Sequence, residues 1–267
     1  MKRLVSTCAI ALLTACSAHD AAPPPPTTTA SGSGGIPVLM YHDVITDDYV
    51  RSDRNGTTYS GDVWLADFRK QMDWLANNGY TPILAIDAVA YVRGQTVKGD
   101  GRLPAKPVVL TFDDSFDSHY QVWKNELAPR GFKATFFVIT NYAAGQVTAS
   151  GRHMTQEQLD EMAHSPLVEI ESHTVNHPDL ATESGDLLIH ELADSNQALT
   201  PYGASYIAYP FGSHTAATIA EAKKWYDAAF CVGSSKALYG NDPYCIPRLG
   251  VGIWSHDDLG KFRALVE

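Results

Sequence analysis

Val108-Val109-Leu110-Thr111-Phe112-Asp113-Asp114-Ser115 decides the reading of this chain. An unbroken run of apolar, β-branched and aromatic residues is how a strand buried on both faces reads, and such strands belong to parallel sheets covered by helices. Here the run ends in two adjacent carboxylates, at the C-terminal end of the strand, where α/β folds keep their active sites. Neighbouring side chains on an extended strand point to opposite faces, so two tasks are expected. One carboxylate binds a metal and the other faces a reacting atom.

Further ligands occur in Val168-Glu169-Ile170-Glu171-Ser172-His173-Thr174-Val175-Asn176-His177-Pro178, a second apolar strand that ends in two histidines spaced i, i+4. One helical turn would bring both imidazoles to the same side, and Pro178 would keep that turn short. An Asp with two His supplies three protein ligands and leaves a position open, the pattern of catalytic rather than structural zinc.

Thr111-Phe112-Asp113-Asp114 and Ser172-His173-Thr174-Val175-Asn176-His177-Pro178 together resemble the first two motifs of the polysaccharide deacetylases, carbohydrate esterase family four. The resemblance runs from about Pro37 to the C-terminus. It implies an α/β fold, a distorted (β/α) barrel of about seven strands, formed as a single domain over residues 36–267. It also implies a metal-dependent hydrolase that removes acetyl groups from N-acetylated sugars. Carried onto this sequence, Asp114, His173 and His177 bind the metal, which is Zn²⁺ or another divalent transition ion such as Co²⁺ or Ni²⁺. Asp113 is then the general base.

Ile36-Pro37-Val38-Leu39-Met40-Tyr41-His42-Asp43 is another apolar strand that delivers a titratable group. It resembles the permuted branch typified by poly-β-1,6-N-acetylglucosamine deacetylases, in which an early Tyr-His strand supplies the general acid, and so points to His42. His256, in Ile253-Trp254-Ser255-His256, is the competing candidate. Tyr206-Ile207-Ala208-Tyr209-Pro210-Phe211-Gly212 is similar to the third motif, Arg-x-Pro-aromatic-Gly, with Ala208 where Arg is usual. That Arg normally orients the base. Arg248 is a candidate replacement, the alternative being an ordinary surface charge. By the resemblance the Phe211 N–H donates to the oxyanion, and Tyr209, Pro210 and Arg248 bind or orient the substrate.

Length and composition agree with one medium α/β domain: 267 residues, 45% of them hydrophobic. A net charge of −10, with no visible Lys/Arg clusters of the kind that bind phosphate backbones, argues against a nucleic-acid partner. Lys2, Arg3, an apolar run and Leu13-Thr14-Ala15-Cys16 read as a lipoprotein signal over residues 1–15 with lipidation at Cys16; the alternative is a plain secretory signal. The run is too short to span a bilayer. Ser17 after the Cys is similar to the sorting pattern for the periplasmic face of the outer membrane. Residues 16–35 are a Pro/Thr/Ser/Gly tether that would hold the domain off a membrane surface. Cys231 and Cys245 remain as a disulfide or as two buried thiols.

Elsewhere residues 49–60 read as a surface loop. Residues 62–78 form an amphipathic helix with Leu65, Phe68, Met72 and Leu75 on one stripe and Gly79 in a left-handed cap. Helices are also expected over 87–93, 120–129, 184–199 and 215–226, strands over 82–86, 134–139 and 228–232. Thr155 and Gln158 form a capping box. In the helix over 184–199, Leu187, Leu188, Glu191 and Leu192 suggest the buried face, with His190 in solvent.

The substrate expected is an acetylated glycan, an N-acetylglucosamine-containing exopolysaccharide such as poly-β-1,6-N-acetylglucosamine. O-deacetylation of xylan or action on peptidoglycan are alternatives within the same chemistry. A tethered glycan-binding protein without catalysis is the alternative outside it.

Overall fold

Eight parallel strands form the central sheet of the computed structural model, which describes residues 34–97 and 101–267. Seven close into a ring. Val38–Tyr41 pairs Ile246–Gly250, and the order continues through Ala228–Val232, Tyr206–Ala208, Val168–Ser172, Ala134–Val138 and Pro107–Phe112 back to Val38–Tyr41. The eighth strand, Thr81–Ile83, pairs with Pro107, Val108 and Val109, on the edge whose continuation at Thr111 and Phe112 pairs Ala134–Val138. This wedge splits the ring at its N-terminal end. The seven-strand distorted barrel expected from sequence is therefore the fold. The expected signal peptide, Cys16 and all of the tether except Gly34 and Gly35 lie outside the described residues.

Alternation along the strands sorts their side chains into two layers. Leu39, Tyr41, Leu110, Phe112, Phe136 and Leu249 turn outward and pack under helices, meeting Phe68, Met72 and Leu75 of the helix Leu65–Asn77. Val38, Val109, Phe137, Ala208, Phe230 and Ile246 turn inward and fill the barrel. Strands covered on both sides need near-continuous apolar sequence, which is why they were legible.

Several boundaries move. The helix expected over 62–78 begins at Leu65, because Val63–Trp64 pairs with Val44–Ile45 as a separate two-stranded sheet. Its end is as expected, with Gly79 at φ 72°. The expected loop 49–60 contains a short helix, Asp47–Asp53, capped by Thr46. The helix expected over 120–129 starts at Asp117 and widens to a π-turn at Trp123–Leu127. Leu187 is 64% exposed, while Leu188, Glu191 and Leu192 are buried as expected. The capping box at Thr155 and Gln158 is present. Cys231 and Cys245 are joined by a disulfide across 14 residues.

Inward parity also turns Glu169 and Glu171 into the barrel beneath His173. Glu169 accepts from Thr135 Oγ1 at 2.8 Å, and Glu171 from the N–H groups of Ser205 and Tyr206 at 2.8 and 2.6 Å. Burial, with the repulsion between neighbouring acids, pushes Glu169 up to about 7 and Glu171 well above the usual carboxylate range. An acid whose folded pKa is raised holds protons that the unfolded chain has released, so folding loses stability as pH rises between the two values. The melting temperature is therefore expected to fall from pH 5 to pH 8 more steeply for the native chain than for Glu169→Gln/Glu171→Gln. Parallel pH profiles of the two proteins would contradict this account of the pair.

Candidate active site

The barrel's C-terminal rim gathers the expected residues into one cleft of about 300 Å³, lined by His42, Asp113, Asp114, His173, His177, Phe211 and Arg248 among others. Parity accounts for three of them. Asp113 continues the inward face of Pro107–Phe112, its N–H donating to the Tyr41 carbonyl at 2.9 Å. His173 continues the inward face of Val168–Ser172 in the same way, bonded to Val138 O at 2.8 Å. His42 follows Val38 and Met40.

Asp114 and His177 arrive differently. Alternation should send Asp114 away from the cleft, but its φ of 78° breaks the extended run and returns its carboxylate to the same side as Asp113. The helical turn expected between His173 and His177 is absent. In its place is a bend with Thr174 at φ 71° and His177 at φ 65°. Thr174 Oγ1 accepts from the His177 N–H at 3.0 Å, and Glu191 accepts from the N–H groups of Val175 and Asn176, both at 2.9 Å. The imidazole centres end 4.8 Å apart. Asp114, Ser115, Thr174, His177 and Phe211 are five of the seven non-glycine residues with positive φ among the described residues. Such conformations cost on the order of 1–3 kcal/mol each and persist where surrounding structure imposes them.

Asp114 Oδ1 lies 3.4 Å from His173 Nε2 and 3.2 Å from His177 Nε2, yet it is buried without a well-formed hydrogen bond. The reason is visible on His173, whose Nδ1 donates to the Ala208 carbonyl at 2.8 Å and so leaves a lone pair on Nε2. A carboxylate oxygen and an imidazole lone pair therefore face each other, which a cation resolves. The three ligand atoms lie within 4.8 Å of one another, and an outer-shell carbonyl fixing the imidazole tautomer is what a metal-binding histidine requires. The residues fit a transition-metal ion.

Arg248 is not a surface charge. It is fully buried, and its two Nη atoms donate to the two oxygens of Asp113 at 2.6 and 2.7 Å, with the guanidinium 5.1 Å over the Phe137 ring. Burial alone would raise the Asp113 carboxyl, but Arg248 and His173 outweigh it and hold the group below its ordinary range. Asp114 in turn raises His177 against the effect of burial. Arg248 thus orients Asp113.

Of the remaining candidates, His256 is not among the cleft's lining residues; its Nδ1 is 2.5 Å from the buried Asp67, in a cluster with the exposed Asp257 that already holds the Lys70 ammonium. Tyr209 borders the cleft, while its ring is buried, stacked on His214 and clustered with Leu192 and Tyr226. Pro210 is buried in that turn, and Phe211 is 68% exposed at the cleft mouth with its ring 4.7 Å from His177.

The profile of the polysaccharide deacetylase family matches residues 100–226. The chain thus carries a polysaccharide deacetylase domain over these residues. The Bacillus subtilis protein YxkH, named for the same family, is 30% identical over 192 residues, 71% of this chain and 61% of its own length. The deacetylase domain here thus spans about three-fifths of that relative. A poly-beta-1,6-N-acetyl-D-glucosamine N-deacetylase of Staphylococcus epidermidis is 26% identical over 215 residues, 73% of this chain and 70% of that one. The structure of the Streptococcus pyogenes deacetylase PplD in complex with acetate superposes with a TM-score of 0.73 at 25% identity, covering 87% of this chain and 98% of that one. The family match includes Asp113, Asp114 and the histidine loop; His42 and Arg248 lie outside it and join the deacetylase site only through barrel closure.

Four supporting residues escaped sequence reasoning. His119 Nε2 donates to the His42 carbonyl at 2.9 Å, and burial pushes its pKa down to about 4, which keeps it neutral. His153 Nδ1 donates to the Asp114 carbonyl at 2.8 Å. Arg54 bonds Asp43, next to His42. Glu191 was legible only as an acid on an apolar helix face, the one signal that pointed to a partner. Removing one member of a buried ion pair leaves the other uncompensated, at a cost of about 3–5 kcal/mol. Arg248→Met is expected to lower the unfolding free energy by that amount in urea titrations at neutral pH. An unchanged midpoint would show that Asp113 is not kept ionised in the interior.

Proposed function

We propose that this chain is a metal-dependent N-deacetylase acting on an N-acetylglucosamine-containing polysaccharide, of the poly-β-1,6-N-acetylglucosamine kind. The observation that carries the reading is a single cleft holding an ionised, Arg-clamped Asp113 beside the Asp114, His173, His177 trio and His42. The name of the Staphylococcus epidermidis relative supports the glycan, and acetate, the small product of such a reaction, is the ligand named for the Streptococcus pyogenes structure.

Asp114, His173 and His177 would hold the ion, zinc or a similar transition metal, which when bound supplies Lewis acidity toward the acetyl carbonyl and the attacking water. Asp113 takes the proton from that water, a role that needs the carboxylate ionised before reaction. Arg248 secures this state, and its bidentate grip fixes the direction of the carboxylate. The Phe211 N–H, in a turn already held at φ 60°, donates to the developing oxyanion. His42 gives a proton to the departing amine. Cys16 would tether the domain to the periplasmic face of the outer membrane.

Asp113→Asn should retain metal and lose about 10²- to 10⁴-fold in kcat on acetylated glucosamine oligomers, the contribution of a general base. Normal turnover by this variant would remove Asp113 from the mechanism. His177→Ala should lose bound metal on dialysis, read by elemental analysis, and unchanged metal content would refute the ligand set. Release of free amine from poly-β-1,6-N-acetylglucosamine, abolished by a chelator and restored by Zn²⁺, is the expected activity. Acetate released from xylan with no amine from the glucosamine polymer would favour an O-esterase.

A further inference from the structure

His42 is held in place by groups that take no part in the chemistry. Asp43 follows it on the strand end and so points away from the cleft, where it is fully buried. Its carboxylate accepts from Arg54 Nη2 on one oxygen and from Ser118 Oγ, at 2.5 Å, on the other. The second nitrogen of the guanidinium, Nη1, donates to Asp62 Oδ2 at 2.7 Å, and Asp62 also accepts from the Tyr59 N–H at 2.6 Å. Between Tyr59 and Asp62, Gly61 forms the wall against which the imidazole rests: a Cβ at that position would stand 3.0 Å from His42 Nδ1. The Val63 N–H closes the arrangement by donating to the Asp43 carbonyl at 2.9 Å.

One guanidinium thus ties the strand end that carries the imidazole to the wall that limits its position. Arg54 is only 4% exposed and sits over the rings of Tyr49, Tyr59 and Phe116 at 5.0 to 5.5 Å, so its own place is closely defined. A buried cation shared by two buried carboxylates contributes little net stability over packed apolar residues, so its effect is better sought in geometry. His42 Nδ1 is buried without a hydrogen-bond partner, which leaves steric confinement by this frame, together with the His119 bond to its carbonyl, to set where the ring lies.

We propose that Arg54, acting through Asp43 and Asp62, is the positioning residue for His42 as proton donor to the leaving amine. The proposal rests on the reading of His42 given above. An amine leaves only with a proton, whereas a nitrophenolate leaves without one, so the two kinds of acetyl substrate separate this role from general damage to the site.

Asp43→Asn keeps the side-chain shape and leaves Arg54 paired with Asp62; Arg54→Met removes the link altogether. Each is assayed on an N-acetylglucosamine oligomer and on nitrophenyl acetate. The expected result for Asp43→Asn is a fall of about 10²-fold in kcat on the amide, the effect of a misplacement near 1 Å, with KM and the aryl acetate rate unchanged. Arg54→Met should fall further on the amide. His42→Ala should lose at least as much amide activity, and Asp43→Asn added to it should lose no more. Equal loss on both substrates, retained amide activity in Asp43→Asn, or multiplying losses in the double variant would overturn the proposal. If His42→Ala alone keeps its amide rate, the proton-donor reading fails, and the proposal with it.

Discussion

A carboxylate in a barrel interior ionises only if a fixed cation stands beside it, and Arg248 is that cation for Asp113. Without it, burial would push the Asp113 carboxyl up. The pairing also depends on the closed ring. Residues 113 and 248 are neighbours because Val38–Tyr41 lies between their strands, pairing Pro107–Phe112 on one edge and Ile246–Gly250 on the other. Barrel closure and the pairing of Arg248 with Asp113 are thus one event.

Two geometric devices share the rest of the site. Strand parity carries Asp113, His173, His42 and Arg248 inward with no local strain. Left-handed backbone at Asp114, His177 and Phe211 adds groups that parity would have excluded. The second device needs external support. Glu191 clamps the histidine loop, the disulfide Cys231–Cys245 joins the strand beside Tyr206–Ala208 to the approach to Ile246–Gly250, and the Tyr209 ring stacks on His214 across the turn Pro210–Gly212.

Three imidazoles serve the backbone in the same manner. His119, His153 and His173 donate to the carbonyls of His42, Asp114 and Ala208. Each removes conformational freedom from a strand end that bears or borders a working group, which is how preorganised sites limit reorganisation during reaction. Only His173 also presents its second nitrogen to the candidate metal position.

The amino-acid sequence by itself determined the buried parallel strands, because strands covered on both faces must be apolar throughout, while the barrel followed from the resemblance to the polysaccharide deacetylases; it also singled out Asp113, Asp114, His173 and His177, because their motifs are local. It also marked His42, whose strand carries the same signal. Tertiary structure alone placed His42 in the cleft and His256 beside Asp67, turned Arg248 from a possible surface charge into the partner of Asp113, and buried the Tyr209 ring against His214. It replaced the expected helical turn at His173–His177 with a strained bend, and it revealed Arg54, His119 and His153. These outcomes depend on which strand ends meet around a closed ring and on backbone torsions imposed by distant residues such as Glu191. Neither leaves a periodic trace in the chain, since the partners are separated by 16, 77 and 135 positions.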